Sequence, residues 1–291
     1  MNLDGLFTRT TVSFRSSLPY DELIINGRDL TGQALGRISA VLDLVRESAG
    51  IEAQAEVISA NNFPSGAGIA SSASAFAALA LAGSKAAGLD LTEPELSRLA
   101  RRGSGSAARS IPGGFVEWQA GAGDEDSYAF SIAPPGHWDL VDCIAIISAE
   151  HKKTGSTEGH ASAGSSPLQA ERVADAPRRL DLCRKAIAER DFPALASIVE
   201  LDSDMMHAVM LSSASPLDYR QAPTLAVMAE VRAWREAGLR ACYTVDAGPN
   251  VHVLCPGPDA AEIAGRLRGV AGIREVLIAG PGGPARLVEG S

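Results

Sequence analysis

The chain of 291 residues, with 46% hydrophobic and 21% charged residues, has an ordinary globular composition that argues against disorder and is long enough for one large or two smaller domains. A net charge of −9 with no basic run longer than HKK or RR excludes a nucleic-acid surface, so an anionic ligand needs a local positive site. The four cysteines (Cys143, Cys183, Cys242, Cys255) show no CxxC pairing, and there is neither a leader pattern nor a run of ~18 apolar residues; the sequence reads as cytoplasmic, with free thiols and no membrane partner.

Residues 6–15, LFTRTTVSFR, alternate like a half-buried strand, and ELIING at 22–27 reads as its hairpin partner. The spacing of Leu35, Ile38, Val41, Leu42 and Val45 predicts a helix over 33–49, followed by a strand at IEAQAEVIS. That strand runs into NNFPSGAGIASSASAFAALALA at 61–82. Gly66 and Gly68 permit positive φ there, and Ser71, Ser72 and Ser74 fall near a helix start, where backbone N–H groups lack partners and the dipole favours negative charge. By itself the stretch fits either a phosphate cradle or an ordinary Ser-capped helix, because it lacks the Gly-Lys-Ser/Thr ending of a Walker loop.

LTEPELSRLARR at 91–102 has a Thr N-cap and an early Pro, both marks of a helix start. Residues 103–121 read as a small-residue loop or short helix, a Pro-Gly-Gly turn and a strand FVEWQ. Within them Arg109, among Ser104, Ser106 and Ser110, is either a bidentate fork for a carboxylate or phosphate or a surface arginine beside a turn. VDCIAIIS at 141–148 is a buried strand by its β-branched content. The polar, Gly/Ser-rich residues 151–169 read as a loop or lobe boundary, and Lys152, Lys153, Thr154, Ser156 and Thr157 suit either a phosphate or solvent.

Helical patterns follow at 179–189, 191–210 and 222–236, then strand at 240–255, helix at 260–267 and strand at 274–280. Asp246 ends a strand just before Gly248 and Pro249. It either projects to orient or accept a proton or merely caps its own backbone in an Asx-turn. The five histidines lack metal-ligand spacing, and His207 in DMMHAVML reads as a packed residue. Strands first, helices later and a late return to strands imply an α+β protein of two lobes, with chemistry in the cleft between them.

In this order, NNFPSGAGIASSASAFAALALA, GSGSAARSIPGGFVEW, KKTGSTEG, MHAVML and YTVDAGPNVHVL closely resemble the mevalonate diphosphate decarboxylases of the GHMP kinase superfamily. The resemblance runs from Met1 to about residue 287. It implies the two-lobed GHMP kinase fold, with an N-terminal lobe at 1–150, a C-terminal lobe at 151–291 and the active site in the cleft between them. It also implies ATP and Mg2+, a phosphorylated mevalonate as small-molecule substrate, and a homodimer.

The implied activity is decarboxylation of mevalonate diphosphate to isopentenyl diphosphate through transient 3-phosphorylation. Its neighbours are the same chemistry on the monophosphate and a kinase that stops at the 3-phosphate. Carried over residue by residue, the resemblance puts Ser65, Gly66, Ala67, Gly68, Ser71, Ser72 and Ser74 around the ATP phosphates. Ser104, Ser106 and Arg109 become substrate-binding, with Arg109 on the carboxylate; Ser156 contacts substrate phosphate in a loop that departs from the family's usual Ser-Ser form. Asp246 becomes the catalytic aspartate. The family's NIALIKYWGK-like segment, which carries the first strand of the N-terminal sheet, is expected upstream of Met1; its loss would leave a neighbouring strand as an edge and favour a non-catalytic relative.

Overall fold

The computed structural model describes residues 1–64, 69–148 and 156–288, with backbone alone at 156–158 and 160. These residues form two compact units, one of Met1–Pro64, Ala70–Pro135 and the segment from Pro281, the other built on Gly136–Gly280.

In the first unit, β1 (Thr8–Arg15), β2 (Glu22–Ile25), β3 (Arg28–Asp29) and β4 (Gln54–Asn61) form a sheet of order β1-β4-β2-β3. The segment at 22–27 is therefore not the hairpin partner of the first strand. β4 lies between them, antiparallel to β1 from Thr8 opposite Asn61 to Arg15 opposite Gln54, and parallel to β2. A parallel pair needs a crossover, and helix α1 (Gln33–Ala49) supplies it.

α1, α2 (Ser71–Ala86) and α3 (Glu93–Gly103) bury their apolar sides with the sheet in a core that includes Val12, Leu23, Leu42, Val57, Phe76 and Leu79. Asp21 and Arg46 form a buried ion pair at its margin. Such a pair is tolerable only with its other polar atoms satisfied. Asp21 Oδ1 also accepts from the Ala55 N–H at 2.8 Å, and Arg46 Nε donates to the Ala53 carbonyl at 3.0 Å. Beyond α3 come a 3-10 helix (Gly105–Ser110) and the hairpin of β5 (Phe115–Trp118) and β6 (Ala129–Ala133).

The second unit runs β7 (Leu140–Ile146), α4 (Ser156–Ala163), α5 (Gln169–Ala174), α6 (Ala176–Glu189), α7 (Phe192–Leu211), α8 (Ala222–Glu236), β8 (Cys242–Val245), β9 (Val251–Pro256), α9 (Ala260–Arg268) and β10 (Glu275–Ala279). Its strands form an antiparallel sheet of order β10-β7-β9-β8. α8 and α9 close one core with it through residues such as Val231, Ile263, Leu267, Tyr243 and Val253.

The expected loop over 151–169 is corrected in part, because α4 and the start of α5 lie in it. α4 has no apolar stripe to betray a helix; its small residues allow close packing instead. A Cβ at Gly159 would fall 2.4 Å from Tyr219 Oη, and Ala163 packs with Val209 and Met210. The four cysteines are free thiols, with Cys143, Cys242 and Cys255 buried. No helix among the described residues is long and apolar enough to cross a membrane.

Candidate active site

Ser65, Gly66, Ala67 and Gly68 lie outside the described residues, as do Lys152, Lys153 and Thr154. Ser156 opens α4, but its side chain also lies outside them. The helix start that follows the glycine loop is described. α2 begins after Ala70, which sits in the left-handed region at φ 52°, provides no side-chain cap and is followed by a first turn without acidic residues. A helix N-terminus with neither a side-chain acceptor nor a carboxylate beside it suits an external anion.

Ser71 and Ser74 are half-buried at this start, and Ser72 is exposed. The Ser72 hydroxyl lies 3.4 Å from that of Ser104, which brings the beginning of α2 beside the 3-10 helix. That helix turns Ala107 and Ala108 fully inward. Ser97 fastens it by donating to the Ala108 carbonyl at 3.1 Å while accepting from the Ala129 N–H at 2.8 Å. The inward alanines leave Ser104 and Ser106 half-buried and Arg109 exposed.

Trp118 of β5 supports both ends of this segment. Its ring lies where a Cβ on Gly105 would approach to 3.2 Å, and the Arg109 guanidinium stands 5.9 Å from a ring centroid. The ring is itself anchored, because Nε1–H donates to Ser127 Oγ at 3.1 Å. A planar cation backed by an aromatic face and flanked by hydroxyls is equipped to take a carboxylate or phosphate in a fixed orientation.

In the second unit, Asp246 follows β8 and is exposed. The Gly248 N–H bonds its backbone carbonyl at 2.8 Å, and its carboxylate makes no hydrogen bond among the described residues, so the turn does not use the side chain as an Asx cap. The turn is held elsewhere. Fully buried Asn250 accepts from the Ile147 and Ser148 N–H groups at 2.7 and 3.1 Å, and Thr224 Oγ1 donates to the Pro249 carbonyl at 2.7 Å. A carboxylate left open on a pinned turn can orient a hydroxyl and accept its proton. His207, 1% exposed, is packed as read, with Nε2 at 3.0 Å from the Val245 carbonyl. Burial holds its imidazole below the ordinary 6.5. Among the described residues no group of three or more His, Cys, Asp or Glu could hold a metal ion.

Residues 1–129 match the diphosphomevalonate decarboxylase-like N-terminal domain, and residues 143–276 match the mevalonate 5-diphosphate decarboxylase C-terminal domain. The diphosphomevalonate decarboxylase of Candida albicans is 39% identical, over 86% of this chain and 73% of its own length. The chain belongs to the diphosphomevalonate decarboxylase family. A phosphomevalonate decarboxylase of Haloferax volcanii is 36% identical over 98% of this chain and 86% of its own. The crystal structure of mevalonate diphosphate decarboxylase from Staphylococcus aureus superposes with a TM-score of 0.92 at 36% identity, covering 99% of this chain and 88% of that one. A second structure, MDDEF in complex with MVAPP, AMPPCP and magnesium, gives a TM-score of 0.92 at 35% identity over 99% and 89% of the two chains. The α+β GHMP kinase fold implied by the sequence is borne out.

The sequence marks Arg109, its neighbouring serines and Asp246 as candidates but not the residues that brace them. Trp118 reads there only as a strand residue, and Asn250 only as part of a turn. A buried Asn straight after a Gly-Pro turn is a usable signal, since a buried amide must find partners. Nothing local links Trp118 to Arg109, because the two meet only through the fold.

Proposed function

We propose that this chain catalyses the ATP-dependent decarboxylation of mevalonate diphosphate to isopentenyl diphosphate in isoprenoid biosynthesis. The family match over both domains carries this reading, and the relative described with MVAPP, AMPPCP (an ATP analogue) and magnesium supports its ligands. ATP, when bound, supplies the phosphoryl group that turns a tertiary 3-hydroxyl into a good leaving group. Asp246 orients that hydroxyl and accepts its proton as the phosphoryl group transfers. A carboxylate is too weak a base to form a free alkoxide first, so the proton moves late.

Arg109 pairs with the substrate carboxylate and fixes it while the C3–O bond breaks and the C1–C2 electron pair becomes the alkene, releasing CO2. Ser104, Ser106 and Ser156 donate to the substrate. Ser71, Ser72 and Ser74 at the start of α2, with Ser65, Gly66, Ala67 and Gly68 before them, cradle the ATP phosphates. The uncapped start of α2 fits that load. Mg2+, when bound with ATP, would neutralise negative charge that develops on the phosphates. The N-terminal lobe at 1–150 and the C-terminal lobe at 151–291, a homodimer and a cytoplasmic location belong to the same proposal.

The Haloferax relative favours one second reading, the monophosphate as substrate. Incubation of the full-length protein with ATP, Mg2+ and each mevalonate species, followed by CO2, ADP and product analysis, separates the two. CO2 and isopentenyl diphosphate from the diphosphate are expected. CO2 from the monophosphate alone transfers the assignment to the second reading, and ADP without CO2 sinks both.

A further inference from the structure

Strand β8 pairs with β9 along one edge, and its other edge meets helix α7 instead of a strand. Backbone groups on such an edge need partners, and α7 supplies them from residues on one helical face. Glu200 accepts from the Tyr243 N–H at 3.2 Å. Ser203 Oγ accepts from the Val245 N–H at 3.0 Å and donates to the Val245 carbonyl at 3.4 Å, while His207 Nε2 lies 3.0 Å from the same carbonyl. A carbonyl can only accept, so Nε2 carries the hydrogen.

Two buried side chains of α7 thus spend three polar contacts on the peptide groups of one residue, the residue before Asp246. Tyr219 stands edge-on to the His207 ring at 6.4 Å between centroids and packs against it. We propose that His207 and Ser203 are positioning residues for Asp246. They fix the backbone from which its carboxylate projects and so set its aim at the substrate hydroxyl. This rests on the assignment of Asp246 as the proton acceptor.

The test uses the full-length protein with ATP, Mg2+ and mevalonate diphosphate. His207→Leu removes the donor, and His207→Gln keeps an N–H at similar reach. Misaiming a catalytic group by about 1 Å costs up to about a hundredfold, so His207→Leu is expected to lower kcat by about ten- to a hundredfold, with KM for ATP and substrate within about threefold. His207→Gln should recover most of the loss. If His207→Leu fails to fold, Ser203→Ala carries the same test, with a kcat loss of about tenfold at unchanged KM expected.

Unchanged kcat in a folded His207→Leu or in Ser203→Ala overturns the inference. So does a loss in His207→Gln equal to that in His207→Leu, which would mean the ring matters only as packing. Asp246→Asn is measured alongside. Full turnover there removes the assignment of Asp246, and this inference with it, whereas a dead Asp246→Asn beside a fully active His207→Leu removes this inference alone.

Discussion

An exposed guanidinium on a flexible stem loses side-chain entropy when a ligand fixes it, and a partner that restrains it beforehand reduces that loss. Trp118 is such a partner for Arg109, and Ser127 keeps the indole in place. Trp118→Ala should therefore weaken substrate binding by about 1 kcal/mol, about fivefold in KM, with KM for ATP unchanged. Trp118→Phe keeps a ring under the cation and should lie between the two. Steady-state kinetics with each substrate varied check this, and an unchanged KM in Trp118→Ala would remove the platform. SGSAARS alone leaves Arg109 as either a fork for an anion or a surface arginine, yet the adjacency of fork and hydroxyls is legible there. The support of Arg109 is not, because strand alternation does not say which side chain of another element a residue will meet.

At the level of elements, α7 shows how polar positions in an apolar helix acquire meaning. The sequence marks the helix clearly, and the structure starts it at Phe192 after the Asp191 N-cap, whose carboxylate accepts from the Ala194 N–H at 3.0 Å. Glu200, Ser203 and His207 interrupt the apolar pattern, and they are the residues that cover the β8 edge. Glu200 also receives Arg235 at 2.8 Å. Glu200→Ala should cost about 2 kcal/mol, read as a lower denaturant midpoint, because it strips charge-assisted hydrogen bonds from a nearly buried site.

His207 adds a pH dependence. Burial, with a smaller push from Arg220, outweighs the bond to the Val245 carbonyl and the nearby Asp218 and Asp204, which favour the charged ring, and holds its imidazole below 6.5. As pH falls through 6.5, the unfolded chain takes up a proton that the folded chain resists. Stability is then lost on acidification, and His207→Gln should flatten the melting temperature between about pH 7 and about pH 5. An identical slope in that variant would contradict it. α4 was illegible for the opposite reason, since small residues chosen for close approach leave no periodic stripe.

Across the whole molecule, local patterns gave most helices and strands but not the long-range pairings. β4 separates β1 from β2, which adjacency in sequence did not suggest. The C-terminal segment returns to the first unit. Leu3 bridges Pro281, the Gly114 N–H bonds the Gly282 carbonyl at 2.8 Å, and the Ala285 N–H bonds the Ile111 carbonyl at 2.9 Å just beyond the 3-10 helix of Arg109. A chain ended after Gly280 should melt lower and bind substrate more weakly, by calorimetry and titration; unchanged values would assign that segment no role.

In the proposed reaction the 3-hydroxyl leaves as phosphate, with Asp246 taking its proton and Arg109 holding the carboxylate that becomes CO2. Turnover of mevalonate diphosphate labelled with 18O at the 3-hydroxyl tests it most directly. The label is predicted in the released inorganic phosphate. Label in water, with unlabelled phosphate, would contradict it.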